Sequence, residues 1–242
     1  MEFTETLIQG RLIRRYKRFL SDIEITGDDG AAQEITAHCP NPGAMLGLAA
    51  PDSEIWLSPA RNPARKLKYT WELTRVGTHL VGINTSLPNA LVAEALAAGT
   101  IAELACYDSI RREVRYGGNS RIDFLLESDG RPPCYVEIKN VHLKRDTTPD
   151  SGLAEFPDSV TTRGAKHLRE LASVVADGGR AVMLYIVQRG DCDRFALASD
   201  LDPAYAAAFL NARQQGVEAM CYACEVARDS IFVANALPIV ED

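Results

Sequence analysis

Two strand-like runs joined by a turn decide how this chain is read: RIDFLLE (121–127), then SDGRPP (128–133), then CYVEIKNV (134–141). Polar and apolar residues alternate in both runs, the period of a half-buried strand. The Ser-Asp-Gly and Pro-Pro pieces between them read as a turn, so the pair is predicted to be a β-hairpin. On the second strand Glu137 and Lys139 fall on one face, roughly 6.7 Å apart along the chain. Ile138 points the other way, into a core. A charged Glu-x-Lys set in an apolar strand is expensive to bury unless something uses it. Hairpin pairing brings Asp123 near Glu137. Two carboxylates this close repel, and a divalent cation suits them as counter-charge. Oxygen ligands favour Mg²⁺ or Mn²⁺ over zinc. Lys139 is then placed to orient, or help deprotonate, a water that attacks phosphorus. A plain ion pair on a strand surface is the alternative for the same residues.

Working outward, NALVAEALAAG (89–99) is rich in helix formers, with Asn89 as a candidate N-cap and Gly99 as the stop. REVRYG follows as a strand before the hairpin. Residues 141–157 are polar and read as a loop. TTRGAKHLRELASVVADGG (161–179) is a helix with Leu168, Leu171 and Val175 on one stripe and Arg163, Lys166, His167 and Glu170 on another. RAVMLYIVQR (180–189) reads as a buried strand. DPAYAAAFLNARQQG (202–216) is a helix opened by Asp-Pro, and EAMCYACEVA is the last strand. The order α-β-β-β-α-β-α-β describes a mixed sheet flanked by helices, over residues 86–242. Residues 1–85 differ. GRLIRRYKRFLSDIEI, EITAHC, SEIWLSP, YTWELTRV and HLVGINT are short strand-like runs separated by turn signals. About five strands in a segment this short fit an OB-like β-barrel, a fold that often binds oligonucleotides. The expected architecture is therefore an N-terminal barrel followed by an α/β domain.

The 242 residues are 46% apolar and 24% charged, ordinary globular composition that excludes disorder as the main state. No apolar run is long enough to span a bilayer, and MEFTETLIQG has no basic segment leading into an apolar one. A cytoplasmic protein without a membrane partner is expected. The six cysteines are then read as free thiols. Cys221 and Cys224 form a CxxC, but strand alternation sends them to opposite faces, and no second pair completes a zinc set. No phosphate-binding glycine loop is present.

The net charge of −7 argues against a nucleic-acid partner until its distribution is considered. Residues 1–85 carry 10 basic and 10 acidic side chains, and all seven excess acids lie beyond them. RLIRRYKR (11–18) has five bases in eight positions, RNPARKLK (61–68) four in eight, and RREVRYGGNSR (111–121) four against one acid. A polyanion meets local patches, not net charge. Tyr16, Tyr69, Trp71 and Tyr116 are interleaved with these patches and offer faces for base stacking. Arg14, Arg15, Lys17, Arg18, Arg65, Lys66, Arg121 and Arg163 are the candidate nucleic-acid contacts.

The spacing Asp123–x13–Glu137–x–Lys139, set in the order given above, resembles a PD-(D/E)XK nuclease core. A longer resemblance covers nearly the whole chain. LIRRYKRFLSD, AHCPNPGAM, RKLKYTWEL, NSRIDFLL, YVEIKNV, FPDSVTTRGAKHLREL and GVEAMCY together resemble the sugar fermentation stimulation protein (SfsA) family. Pro42 stands where that family more usually has Thr. The resemblance implies an N-terminal OB-like domain, a C-terminal PD-(D/E)XK nuclease-like mixed α/β domain, DNA binding, and a link to regulation of sugar (maltose) metabolism genes. Carried onto this chain, it implies Asp123 and Glu137 as ligands for Mg²⁺ or Mn²⁺ and Lys139 as the catalytic lysine. Such cores often add a further carboxylate from the first helix. Glu94 is the candidate here and Glu113, on the first strand, is the rival. The helix stripe with Arg163 and Lys166 would face the scissile phosphate. A DNA-binding regulator without catalysis is the alternative function.

Overall fold

The computed structural model describes residues 1–27, 29–118, 120–145 and 152–240. The N-terminal strands are β1 (Ile8–Tyr16), β2 (Leu20–Thr26), β3 (Ala32–His38), β4 (Glu54–Pro59), β5 (Tyr69–Val76) and β6 (His79–Gly82). The ladder β3-β2-β1-β4-β5 closes on itself through a β3–β5 contact at His38 and Thr70, and β6 pairs with the outer edge of β5. This is a closed five-stranded OB barrel. Alternation along each strand sends Leu12, Ile23, Ile55, Leu57 and Trp71 inward, all fully buried. The indole of Trp71 donates to the Leu73 carbonyl at 2.9 Å, so Trp71 is core and not a stacking platform. The stretch 10–25, which reads as one run, folds back on itself at Lys17 and Arg18. Both adopt left-handed φ, 49° and 62°, with neither Gly nor Asn at the tip.

The C-terminal domain has α1 (Pro88–Ala97), β7 (Ser109–Tyr116), β8 (Ser120–Glu127), β9 (Cys134–Val141), β10 (Leu153–Phe156), α2 (Thr162–Ala176), β11 (Arg180–Val187), β12 (Arg194–Leu197), α3 (Pro203–Gln214), β13 (Glu218–Val226), β14 (Ile231–Ala236) and β15 (Ile239–Val240). Its main sheet runs β14-β13-β11-β9-β8-β7. The central β9, β11 and β13 are parallel, and the outer pairs are antiparallel hairpins. Leu91, Val92, Leu96 and Leu104 pack on one face with Val136, Ile138 and Leu184; Leu168, Leu171, Tyr205 and Phe209 pack on the other with Met183 and Tyr185. Cys221 and Cys224 lie in these two separate cores, so the CxxC is split across the sheet as its alternation predicts. Thr161 caps α2 by accepting from Gly164 N at 3.1 Å, and Asp202 caps α3 by accepting from Tyr205 N at 3.0 Å. Among the described residues no helix is long and apolar enough to cross a membrane.

Several local expectations need correction. α1 begins one residue early, because Pro88 takes the first helical position, and Leu87 is its cap residue. Asn89 is therefore inside the helix with its amide free for other use. The segment 141–157 is not all loop: it contains β10, which joins β12 and β15 in a small parallel sheet. Residues 146–151 of that expected loop lie outside the described residues. EAMCYACEVA is not the last strand, since β14 and β15 follow.

Barrel and α/β domain are joined along several seams. Gly82 N donates to the Gln188 carbonyl at 2.9 Å, and the Met1 amino group donates to the Ile231 carbonyl at 2.8 Å. Leu7, Trp56 and Leu73 of the N-terminal part share a core with α1 and the main sheet. Asp158 receives His142 Nε2 at 3.2 Å and Met45 N at 3.1 Å, which pins the barrel segment 41–45 to the second domain.

Candidate active site

The site starts where a ladder stops. β8 and β9 pair through Phe124–Val136, and no ladder pair follows. The Ile138 N–H instead donates to Asp123 Oδ2 at 2.7 Å. Asn89, freed from capping, donates from α1 to Asp123 Oδ1 at 2.8 Å. Asp123 is thus fixed by one strand and one helix. Glu137 is buried, at 4% exposure. Its Oε1 accepts from Lys139 Nζ at 2.7 Å and meets His167 Nδ1, while its Oε2 is buried with no hydrogen-bond partner among the described residues. Arg163 Nε donates to His167 Nε2 at 3.3 Å, which leaves the ring proton on Nδ1, facing Glu137.

The electrostatics follow from burial. Desolvation and the neighbouring charge of Glu137 raise the Asp123 carboxyl above its ordinary value, against the donors from Ile138 and Asn89. Burial also pushes Glu137 upward, but His167 and Lys139 outweigh it and hold that carboxyl below the usual range. Beside them the Tyr116 hydroxyl and Glu170 Oε2 are likewise buried without partners among the described residues. Burial first, and then Glu137, Glu170 and Asp123, push the Tyr116 hydroxyl far up. The region is an excess of oxygen acceptors around the buried Glu137 and half-buried Asp123 carboxylates. That chemistry fits a hard divalent cation, and the orphaned Glu137 Oε2 is the clearest mark of it. Among the described residues no three His, Cys, Asp or Glu side chains stand close enough to hold a metal alone. Mg²⁺ commonly binds through one or two carboxylates and fills its shell with water and phosphate oxygens, so two suffice.

A cavity of about 400 Å³ opens over this pair, lined also by Glu113, Arg121, Arg163 and Lys166. Glu113 lies opposite Asp123 across the β7–β8 ladder, between the pairs Arg112–Phe124 and Val114–Ile122. It holds a left-handed φ of 53°, a conformation that costs energy for a residue with a side chain. Glu94 is elsewhere. It pairs with the Met1 amino group at 2.6 Å, half-exposed. Five residues separate it from Asn89, about 140° round the helix, so the two cannot share a face. The extra acid lining the cavity is Glu113, and Glu94 lies away from it on the Met1 amino group. Lys166 donates to Ser120 Oγ at 3.2 Å and pairs with Glu170 at 3.4 Å. His167 is buried, so the polar stripe of α2 is not wholly a surface stripe.

The basic candidates on the barrel separate into two kinds. Arg14 pairs with Asp22 at 2.8 Å and lies over the Tyr16 ring. Arg15 donates to the carbonyls of Arg18, Asn41 and Gly43 at 3.1, 2.8 and 2.9 Å, so it braces the chain. Arg65 donates to Thr70 Oγ1 at 2.9 Å. Lys17, Arg18 and Lys66 are exposed. A second cavity, about 950 Å³, separates barrel from α/β domain and is lined by Arg18, Lys139 and Arg163 among others. Asp158, which sequence reasoning passed over, borders it. His142 and Met45 N hold its carboxyl down to about 2 against burial, which works the other way. A depressed acid stabilises the fold above pH 4, and that contribution disappears as pH falls through 2. Asp158→Asn is expected to lower unfolding free energy by on the order of 2 kcal/mol at pH 7. Urea denaturation should show the difference from wild type narrowing between pH 4 and pH 2.

The "SfsA N-terminal OB domain" family model matches residues 13–83, and the "Sugar fermentation stimulation protein RE domain" model matches residues 86–230. The chain belongs to the sugar fermentation stimulation protein family. A family homolog from Paramagnetospirillum magneticum is 59% identical over 231 residues, covering 96% of this chain and 94% of its own. One from Jannaschia sp. is 56% identical over 99% of this chain and 97% of its own. Among solved structures, the Pyrococcus furiosus SfsA protein, in complex with Ca²⁺, has the same fold. Its TM-score is 0.87 at 24% identity, covering 100% of this chain and 98% of that one.

Proposed function

We propose that this protein binds DNA and hydrolyses phosphodiester bonds at Asp123, Glu137 and Lys139 with a divalent cation, Mg²⁺ or Mn²⁺. The observation that carries the reading is the pair of half-buried Asp123 and buried Glu137, with Glu137 Oε2 lacking a partner among the described residues and a lysine in hydrogen-bond contact. Asp123 and Glu137 would hold the cation, and Glu113 lines the same cavity. When bound, the cation supplies Lewis acidity at the phosphate. Lys139 Nζ directs N–H donors and positive charge at the phosphate and at the attacking water. Arg121, Arg163 and Lys166 draw the phosphate into the cavity. His167 keeps Glu137 in one orientation. The Ca²⁺ held by the Pyrococcus furiosus protein supports a divalent cation. Six free thiols support a cytoplasmic setting.

A second reading is a DNA-binding regulator of sugar (maltose) metabolism genes without catalysis. One observation favours it: Lys139 and His167 engage Glu137 Oε1 from within the protein, as an ion-pair network would. The two are separated by incubating the pure protein with single-stranded DNA, duplex DNA and RNA in Mg²⁺, Mn²⁺ or EDTA. Cleavage that EDTA stops supports the enzyme; binding without cleavage of any form supports the regulator.

Binding itself should fall with salt, by about 0.7–0.9 in log slope for each phosphate neutralised. Lys17→Ala combined with Lys66→Ala should make that slope shallower, because these exposed lysines are not committed to the fold. Arg15 is unsuited to the test, since its loss releases three carbonyls. An unchanged slope in the double variant would move the binding surface off the barrel.

A further inference from the structure

We propose that the cleft between the barrel and the α/β domain is a subsite for an unpaired nucleotide next to the scissile phosphate, so that single strands are the preferred ligand. This rests on the nucleic-acid reading above and names the ligand's form.

Continuity is the first argument. The cleft shares Arg163 with the cavity over Asp123 and Glu137, and Lys139 lines the cleft while bonding Glu137. The acid cavity in turn shares Ser120 and Arg121 with a third cavity under the β7–β8 turn, beside Arg115. The three form one track, with Arg18 and Arg163 at one side of the carboxylates and Arg121 and Arg115 at the other. A polynucleotide backbone, with a phosphate at every step, suits such a succession of positive charges. The acid at the barrel end, Asp158, is already committed to His142 and Met45 N.

The walls say what else the ligand carries. Pro42, Ala44, Pro157 and Val160 give the cleft apolar surface among its bases. Val160 is 69% exposed, the most exposed of the large hydrophobic side chains. Apolar surface beside arginine suits a base and its phosphate together. In a duplex the base faces are stacked on their neighbours and cannot reach such walls; in a single strand they are free. At about 950 Å³ the cleft is at the upper end of the size range for bound small molecules.

The cleft is also pre-formed. Arg15 grips the Asn41 and Gly43 carbonyls, and buried Asn41 bonds Gly43 N and the Ile83 carbonyl. A side chain at Gly43 would collide with the Asp158 carboxylate, so this position needs glycine. Arg15 also holds the Arg18 carbonyl, fixing the strained tip that carries Arg18 to the cleft. Arg15 thus frames the subsite through its bonds to the chain.

The test is fluorescence anisotropy in EDTA with one labelled sequence as single-stranded DNA, single-stranded RNA and duplex DNA. Wild type should bind the strands more tightly than the duplex, and comparison of the two strands tells whether the sugar matters. Val160→Asp and Arg18→Asn should each weaken single-strand binding roughly 5- to 100-fold. Duplex affinity should change by less than about two-fold, because it owes its strength to backbone contacts outside the cleft. Both residues are exposed, and Asn tolerates the left-handed tip, so circular dichroism should be unaltered. Arg169→Gln, the same loss of charge on the exposed side of α2, should change single-strand affinity by less than about two-fold; a drop matching Arg18→Asn would mean that only net charge was measured, and would overturn the subsite. Equal losses on strand and duplex, or none, would also overturn it while the nucleic-acid reading stands. Wild type that binds no form overturns both.

Discussion

Lys139→Ala is expected to reduce single-turnover cleavage by on the order of 10²- to 10⁴-fold while cation binding persists. Lys139 is not a candidate ligand: its Nζ donates to Glu137 Oε1 at 2.7 Å, and a cation would bind the carboxylates. In the proposed reaction, truncation would remove the N–H donors that Lys139 offers to the phosphate and the water, whose worth grows as charge develops there. His167 still holds Glu137, so the carboxylate should keep its place. Glu137 then loses one of the two groups that hold its carboxyl down, and its affinity for a cation should rise or stay level. Single-turnover rates beside a Mn²⁺ titration would separate the effects. A variant that cuts at the wild-type rate would remove Lys139 from the chemistry; one that loses the cation would make it a structural part of the ligand set.

Asp123→Asn is expected to abolish tight cation binding and, with it, cleavage. The substitution leaves a neutral amide where a half-buried carboxylate stood. Its effect on stability is the sum of two opposed terms. Asp123 is raised by burial and by Glu137, so its charged form is disfavoured in the fold, and removing the charge relieves that strain. Repulsion alone would make the cation-free variant more stable than wild type. The structure adds a cost, because both oxygens of Asp123 accept hydrogen bonds, from Ile138 N and from Asn89 Nδ2. An asparagine turns one of those acceptors into a donor facing a donor, which costs about 1–3 kcal/mol. The two terms offset each other, and thermal denaturation in EDTA should place the variant close to wild type. A large loss of stability would show that the variant's inactivity reports unfolding and not a missing ligand.

The residues that could be placed from sequence are those whose position follows from strand period alone. Glu137 and Lys139 share a face because they are two apart, and Asp123 comes to them through one hairpin. Glu113 against Glu94 could not be decided that way. The answer depends on the rotation of α1 about its axis relative to the sheet, which is set by Leu91, Val92 and Leu96 packing into the core. Asn89 was hidden by its neighbour: a good N-cap residue one position after Pro88 is inside the helix, not before it. Charge counting found the barrel's basic stretches but could not see that Arg15 spends its donors on backbone carbonyls, or that Arg14 is neutralised by Asp22. His167 belongs to a polar stripe by spacing, yet the packing of α2 against β9 and β11 buries it on Glu137. The small β10-β12-β15 sheet uses strands of two to four residues, too short for alternation to register.

In the proposed function Asp123 and Glu137 form a cation site. Calorimetric titration of Mn²⁺ into wild type and Asp123→Asn, in the absence of nucleic acid, tests it most directly. Wild type is expected to give a saturable heat that Mg²⁺ competes away and that Asp123→Asn lacks, with both proteins folded. Equal Mn²⁺ affinity in the two proteins, or no saturable binding by wild type, would contradict it and leave Asp123, Glu137 and Lys139 as a structural ion-pair network.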